Sequence, residues 1–213
     1  MGCTSMLRTF TTTALVVTLG LAGAARAHPV VYHFTGTASG DLNGDPFSGA
    51  SFDIRAHGDT SAVVLLPTPK FEPDTWDNFP ASLTVQLSGH SVLTVTDPGY
   101  VFDSQDVTPT QGLAGIGTVS GSATSVDFLY LLGPAILKTY KLVTSLAPVG
   151  GLALLVNQNG PAQLSTNKGV LTFASVQDLM FSASLAPEPQ TWAMMILGLA
   201  GIGAAARRRR AAA

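Results

Sequence analysis

The segment VVYHFTGTASGDLNGDPFSGASFDIR, residues 30–55, decides the fold that this sequence predicts. Val30, Tyr32 and Phe34 occupy every second position, and this period of two is typical of a strand with one buried face. Asn43-Gly44 then predicts a type I′ hairpin turn, because both residues accept the positive φ that the turn requires. The segment therefore predicts two antiparallel strands joined by a tight turn.

The return strand of this hairpin is expected over residues 47–55, with Phe52 and Ile54 facing the core. Short apolar or alternating segments continue along the chain, and together with the hairpin they give about ten expected strands. The further strands are expected at residues 62–66, 83–87, 92–96, 100–102, 126–132, 137–145, 152–156, 169–174 and 179–185. The runs at 62–66 and 152–156 are uninterrupted and apolar, so both are predicted to be buried.

Connections are predicted where turn-forming residues accumulate. Residues 57–60 are expected to form a turn, and residues 67–80, with four prolines, a long surface loop. Residues 103–117, rich in Gln, Thr, Pro and Gly, are expected to form a second loop. No part of residues 28–186 sustains a helical period with caps. We therefore predict an all-β domain, a β-sandwich or jelly-roll-like fold, with a closed β-barrel as the alternative.

The N-terminal residues 1–27 are predicted to be a secretory signal peptide. Arg8 supplies the positive charge, an apolar region follows, and Ala25-Arg26-Ala27 fits the small-x-small rule for cleavage before His28. Cys3 is the only cysteine and would be removed with this segment. The mature chain is therefore expected to have no disulfide, thiolate metal site or cysteine nucleophile.

The charges are few and segregated along the chain. Charged residues make up 11% of the sequence, against roughly 25% in typical soluble domains. Twelve of the 13 acidic residues but only 5 of the 11 basic ones lie between His28 and Ala186, which gives this part a net charge of −7. An acidic domain repels phosphate backbones, so no nucleic-acid partner is expected.

A calcium-loop pattern begins at Asp41, Asn43 and Asp45 but is not completed. An EF-hand requires glycine at its sixth position and a bidentate glutamate at its twelfth, and these positions hold Pro46 and Phe52. The hairpin turn accounts for the same residues. The four histidines, His28, His33, His57 and His90, have irregular spacing, so no metal site is predicted.

Acidic residues cluster around an aromatic one in the predicted loop at 67–80. Glu72, Asp74 and Asp77 beside Trp76 are the residue types of a glycosidase site, in which two carboxylates work beside a sugar-stacking ring. The alternative is a solvated loop, which the proline-rich context favours. No nucleophile elbow or phosphate-binding loop occurs, so no catalytic residue, enzymatic activity or cofactor is predicted.

A second alternative is an extracellular module that binds polysaccharide or ice. Thr94 and Thr96 lie two positions apart, the spacing that places hydroxyls on one face of a strand.

The last 27 residues, 187–213, differ in composition from the rest of the chain. Pro187-Glu188-Pro189 precedes an uncharged run of 15 residues, 192–206, and the arginines 207–210. As a helix this run would span roughly 22 Å, against about 30 Å of hydrocarbon, so it is a marginal membrane anchor. The arginines predict a cytoplasmic C-terminus and an exported domain.

This tail resembles the PEP-CTERM sorting signal in its PEPxxWA variant. The resemblance rests on Pro187, Glu188, Pro189, Trp192 and Ala193, followed by the apolar run and by Arg207, Arg208, Arg209 and Arg210. It implies export by the Sec machinery, transient anchoring in the inner membrane with the domain in the periplasm, and processing by an exosortase. It also implies delivery to the cell surface or biofilm matrix of a bacterium that makes exopolysaccharide. The expected organisation is a signal peptide at 1–27, a β-rich domain at 28–186 and a sorting signal at 187–213.

Overall fold

The predicted hairpin forms, and both of its strands are longer than expected. The computed structural model describes residues 27–66, 75–79, 82–105, 110–120, 124–155 and 162–186. Strand β1 (Pro29–Leu42) pairs with β2 (Asp45–Asp59), so the turn expected at residues 57–60 is wrong because β2 continues to Asp59. Asn43 and Gly44 have φ values of 55° and 90°, which confirms the tight turn.

The described strands form two antiparallel sheets. Sheet A has the order β10-β13-β1-β2-β5-β6, and β12 also pairs with β13. Its further strands are β5 (Ser82–Leu87), β6 (Leu93–Thr94), β10 (Leu146–Gly150), β12 (Ala162–Thr166) and β13 (Gly169–Leu185). Sheet B has the order β11-β9-β8-β7-β4-β3. Its strands are β3 (Val63–Leu66), β4 (Thr75–Asn78), β7 (Gly99–Ser104), β8 (Gly112–Ser120), β9 (Thr124–Gly133) and β11 (Leu152–Leu155).

The two sheets share one hydrophobic core. Phe34, Ile54 and Phe181 from sheet A and Ile116 and Leu129 from sheet B belong to the same buried cluster. The all-β prediction is confirmed for the described residues, which contain no α-helix and only two short 3₁₀ turns, Thr60–Ala62 and Ala135–Lys138. The alternative of a closed barrel is wrong, because the described strands form two separate sheets.

Aromatic rings fill the centre of this core. Phe173 of β13 lies 5.0 Å from Phe52 of β2 and 5.2 Å from Phe128 of β9, measured between ring centroids. These are favourable distances for aromatic pairs. Rings from three strands therefore tie sheet A to sheet B.

A buried polar network provides a second connection between the sheets. The Tyr32 hydroxyl in sheet A accepts a hydrogen bond from Asn78 Nδ2 in sheet B at 2.7 Å and donates to the Leu142 carbonyl at 2.6 Å. Asn78 Nδ2 also donates to the Asp59 carbonyl at 3.1 Å. Buried donors and acceptors are costly when unpaired, so this network fixes the relative position of both sheets.

Several further segments differ from their predicted secondary structure. The segment predicted as a loop at 103–117 contains the end of β7 and much of β8, and the loop predicted at 67–80 contains β4. The strand predicted at 137–145 is instead a 3₁₀ turn followed by bends, in which Leu142 has a φ of 60°. The two strands predicted between 169 and 185 form one continuous strand, β13.

The two apolar runs predicted to be buried lie at the edges of sheet B. Val64, Leu65 and Leu66 of β3 and Leu152 and Leu154 of β11 are exposed. Each run pairs with only one described strand, because β3 and β11 are the terminal strands in the sheet order. An apolar run predicted the strand correctly but not its position in the sheet.

The predicted targeting segments lie almost entirely outside the described residues. Only Ala27 of the predicted signal peptide is described, and the predicted helix at 192–206 and the arginines 207–210 are not. Within the described ranges, no helix has the length and apolar character needed to cross a membrane.

Candidate functional site

The first and last strands lie side by side, so both predicted processing sites adjoin one end of the sheet. Val30 of β1 is opposite Leu185 of β13, and the Ala186 amide donates to the Pro29 carbonyl at 2.8 Å. The predicted signal cleavage site, Ala25 to His28, and the predicted motif beginning at Pro187 directly adjoin this pair. Ala25 and residues 187–213 lie outside the described residues.

His28, the expected first residue of the mature chain, is held to the fold. Its amide donates to Thr60 Oγ1 at 3.0 Å, and its carbonyl accepts from the Thr60 amide at 3.0 Å. The predicted new N-terminus is therefore anchored to the turn after β2, although frayed termini are common.

The remaining histidines and the calcium-like pattern do not come together. His33 lies on β1, where its Nδ1 is 3.2 Å from Asp53 Oδ1, whereas His57 and His90 lie on β2 and after β5. Asp41 Oδ1 accepts from the Gly44 amide at 3.1 Å, a contact within the hairpin turn. Among the described residues, no group of three or more His, Cys, Asp or Glu side chains is placed to hold a metal ion.

Asp77, from the predicted acidic loop, lies on β4 in sheet B. Its side chain is buried, and its Oδ1 has no hydrogen-bond partner. Burial, reinforced by the charge of Asp127, raises its pKa to about 6. Glu72 and Asp74 lie outside the described residues. Trp76 packs against the core, and the Lys141 amine lies 5.2 Å from its ring centroid.

An aromatic cluster covers the outer face of sheet B around Asp127. The hydroxyls of Tyr100 and Tyr130 both donate to the Asp127 carboxylate. The Phe102 ring lies between them, 5.8 Å from Tyr100 and 5.2 Å from Tyr130. Gly115 makes room for this ring, since a Cβ there would lie 2.2 Å from Phe102. Burial and the bond to Asp127 raise the pKa of Tyr130, so its hydroxyl stays protonated as a donor.

Asp103 faces the inner side of the same sheet, opposite Trp76 on β4 and Ala114 on β8. Its side chain is 0% exposed, and neither carboxylate oxygen has a hydrogen-bond partner. Burial raises its pKa to about 8. An isolated buried carboxylate is strongly unfavourable, so at neutral pH this group is mainly the uncharged acid.

The sequence did not single out Asp103 or Asp127. Asp103 is the first residue of the predicted loop at 103–117, where a polar side chain is ordinarily solvated. The detectable signal was its alternation with Tyr100 and Phe102, which places it and Val101 on the face opposite the two rings. Asp127 and Tyr100 come together only because strands β7, β8 and β9 pair, and no local sequence pattern predicts that pairing.

The threonines considered for ice or polysaccharide binding lie at an edge of sheet A. Strand β6 contains only Leu93 and Thr94, and Thr96 lies beyond it. The Thr96 hydroxyl donates to the Ser165 carbonyl at 3.3 Å, and the Thr94 amide donates to Asn167 Oδ1 at 2.9 Å. This segment therefore connects β6 to the hairpin of β12 and β13.

The comparisons with known proteins concern the tail. Residues 185–210 match the family model described as the PEP-CTERM protein-sorting motif. Comparison with curated proteins and with solved structures gave no match. The matched region begins at the last residue of β13 and ends at the last arginine of the tail. The chain therefore carries a PEP-CTERM sorting motif, which supports an exported protein that is processed by an exosortase.

Proposed function

We propose that this is a non-enzymatic protein of the cell surface or biofilm matrix. The Sec machinery exports it, and residues 192–206 hold it in the inner membrane with the β domain in the periplasm. The arginines 207–210 stay on the cytoplasmic side, as the positive-inside rule predicts. An exosortase then processes the chain at Pro187-Glu188-Pro189, and the domain passes to the cell surface or the matrix. There it is expected to lie among extracellular polysaccharides.

The observation that carries this proposal is the position of the sorting motif in the chain. The match begins at Leu185, where β13 ends. The sequence predicts an extended backbone at Glu188, because a proline on each side disfavours a helix. We therefore expect a processing enzyme at the membrane surface to reach this segment, which lies in the sequence between the folded domain and the predicted anchor.

The pairing of β1 with β13 supports the same account. The N-terminal cleavage site and the C-terminal motif adjoin the same end of sheet A. A domain anchored by its tail would direct this end towards the membrane, and the rest of both sheets would extend away from it. Both processing events would then occur without unfolding the domain.

The sorting step is tested with Glu188→Ala in the native host. We expect this variant to remain at full length in the inner-membrane fraction, because the motif loses its only charge. Immunoblotting of inner-membrane, surface and extracellular fractions measures the length and the location of the variant. Gln190→Ala, at a spacer position, is the matched control and should behave as the parent. Unchanged mobility and location of Glu188→Ala would contradict the proposal.

The absence of enzymatic activity is part of the proposal. Asp77 is the one member of the predicted acidic group that is described, and its carboxyl is buried, which disfavours contact with a polymer. We expect no turnover on a panel of polysaccharides. Measurable turnover in the parent that is lost in Asp77→Asn would favour a hydrolase instead.

A further inference from the structure

We propose that the outer face of sheet A binds an uncharged extracellular polysaccharide, and that Arg55 and Asp53 form the centre of this binding surface. This inference rests on the proposed function, because it names a ligand for a domain that lies outside the cell. Three observations support it: the hydrogen-bonding side chains of the face, the charge network at its centre, and the negative charge of the domain.

The outer face of sheet A is built from the side chains that alternate with its core residues. Along β1, β2, β5 and the second half of β13, buried positions alternate with half-buried or exposed ones, so the second set points away from the core. Direct cross-strand pairs arrange this second set in rows. The first central row consists of Ser182, His33, Arg55, Thr84 and Thr94, and the second of Met180, Thr35, Asp53 and Gln86. All of these side chains except that of Met180 can form hydrogen bonds.

Small hydroxyl side chains surround the central residues on the neighbouring strands. Neighbouring strands of a sheet lie about 4.8 Å apart, so the hydroxyl groups recur at short intervals across the face. Threonine is stiff at χ1 because it is branched at Cβ, and short side chains lose less conformational entropy when they are fixed than long charged ones do. The cost of ordering this face around a ligand is therefore low.

A charge network lies at the centre of these rows. Arg55 Nε donates to Asp53 Oδ2 at 2.7 Å, and His33 Nδ1 lies 3.2 Å from Asp53 Oδ1. The side chains of Arg55, His33 and Asp53 are 53%, 28% and 21% exposed, so all three are accessible to a ligand. The bond from Arg55 uses Nε alone, which leaves the terminal amino groups of the guanidinium as donors, and the Asp53 carboxylate has further lone pairs.

Adjacent donors and acceptors match the neighbouring hydroxyl groups of a sugar. A hydroxyl group both donates and accepts a hydrogen bond, so one sugar hydroxyl can accept from Arg55 while the next donates to Asp53. Hydrogen bonds to charged groups are about twice as strong as those between neutral groups. The bond between Arg55 and Asp53 holds both side chains in place before a ligand arrives, and this preorganisation favours binding.

The charge of the domain favours an uncharged ligand. Residues 28–186 carry a net charge of −7, which repels a polyanion. At the centre of the face, Asp53 offsets the charge of Arg55. A carboxylated polysaccharide would meet the repulsion of the domain, whereas an uncharged one would not.

The open shape of the face favours an extended polymer. The central side chains lie on the paired strands β1 and β2, which contain 14 and 15 residues, so they form an open surface. Such a surface does not enclose a single sugar, and its affinity must come from several weak contacts along one chain. An extended β-linked glucan presents successive sugars to the surface, and we expect this class of polymer to bind.

Affinity electrophoresis of the full chain in detergent tests this inference with two polymers. Hydroxyethylcellulose is an uncharged derivative of a β-linked glucan, and carboxymethylcellulose has the same backbone with carboxylate groups. Hydroxyethylcellulose in the gel should retard the parent, and carboxymethylcellulose should retard it much less. Retardation by hydroxyethylcellulose should not change with ionic strength, because the polymer has no charge for salt to screen.

Variants of the charge network locate the binding surface. Arg55→Gln and Asp53→Asn should each weaken binding to hydroxyethylcellulose by roughly tenfold or more, since each removes a charge-assisted hydrogen bond. Lys168→Gln and Asp45→Asn are the matched controls, because they make the same changes of charge at exposed positions outside the two central rows. Both controls should bind as the parent does, and far-UV circular dichroism checks that every variant is folded.

Arg55→Lys separates the geometry of the hydrogen bonds from the charge. Lysine keeps the positive charge but replaces the planar guanidinium, which can donate two parallel bonds, by a point charge. Binding should therefore remain well below that of the parent. Thr84→Ala, which removes a hydroxyl directly opposite Arg55, should weaken binding by a smaller factor than Arg55→Gln. Full binding by Arg55→Lys would show that charge alone is sufficient and would contradict recognition by hydrogen bonds.

Three results would overturn the proposal: no retardation of the parent by hydroxyethylcellulose, unchanged binding by Arg55→Gln and Asp53→Asn, or stronger retardation by carboxymethylcellulose than by hydroxyethylcellulose. The last result would assign the face to an acidic polymer instead. The binding is measured on purified protein, and no exosortase takes part. The sorting proposal can therefore fail or hold independently of these results.

Discussion

Sheets A and B are built from similar antiparallel strands but differ at their edges and in their buried charges. Sheet A contains the long strands β1, β2 and β13, and its edges are interrupted or short. Sheet B has apolar, exposed edge strands and contains the buried carboxyls of Asp77 and Asp103. Sheet A also contains both ends of the described domain, because β1 and β13 are neighbours.

This difference suggests a division of roles within one fold. Sheet A supplies most of the aromatic core and fixes the end at which the chain enters and leaves. Sheet B retains a costly feature, namely buried carboxyl groups with oxygens that lack a hydrogen-bond partner, that a sheet selected only for stability would lack. We therefore expect substitutions in sheet A to affect mainly the free energy of unfolding, and substitutions of the buried acids in sheet B to affect its pH dependence.

The largest predicted effect is that of Phe173→Ala in sheet A. The Phe173 ring contacts Phe52 and Phe128 in the core, and its removal should lower the free energy of unfolding by about 3–5 kcal/mol. Phe102→Ala, on the outer face of sheet B, is the matched control and should cost less. Urea denaturation followed by circular dichroism measures both. An equal or larger loss for Phe102→Ala would remove the contrast between the sheets.

The next effect concerns Asp103 and is specific to sheet B. Its pKa is raised in the folded state to about 8, so the folded chain holds a proton that the unfolded chain releases near pH 4. The stability of the parent should therefore fall as pH rises from about 4 to 8. Asp103→Asn removes this loss and should gain up to about 5 kcal/mol over the parent at pH 9, since each pKa unit corresponds to about 1.4 kcal/mol.

Unfolding free energies of the two proteins between pH 4 and pH 9 test this prediction. The exposed Asp45→Asn in sheet A is the control and should follow the parent at every pH. If the difference between Asp103→Asn and the parent did not change with pH, Asp103 would not be a buried neutral acid.

The smallest effect is predicted at the connection between the sheets. Tyr32→Phe removes the hydroxyl that accepts from Asn78 and donates to Leu142, and the loss of stability should be about 1–3 kcal/mol. The ring remains, so the core should be unchanged. Amide hydrogen exchange that is faster in both sheets of Tyr32→Phe than in the parent would show that the network connects the sheets. Faster exchange in one sheet alone would show that the stability of the other sheet does not depend on the network.

The sequence allowed the β1–β2 hairpin to be predicted because its signals are local. Alternation identified the buried faces, and Asn43-Gly44 identified the turn. The character of β3 and β11 as edges could not be predicted in this way, since it depends on which strands pair. An apolar run is equally consistent with a central strand and with an exposed edge.

The sequence predicts a loop where the structure has strand β8, and the reason is different. Its glycines have low strand propensity, and they suggested a loop. In the fold, Gly115 provides the space that the Phe102 ring occupies. The sequence likewise predicts Asp103 in a loop, because an aspartate side chain is rarely buried without a partner. In both places packing overrides the local preference.

Within the candidate site, the tail is the part whose function the sequence predicts most fully. Its motif, apolar run and arginines are recognised by order and spacing, which require no fold. The carboxyl groups of sheet B depend on pairing between distant strands and became apparent only with the structure.

The measurement that tests the central claim most directly is mass spectrometry of both ends of the mature protein from surface and extracellular fractions. The account predicts a chain that begins at His28 and ends at or near Pro187-Glu188-Pro189, at the two sites that adjoin the β1–β13 pair. A chain that still ends at Ala213 in cells with an active exosortase would contradict it.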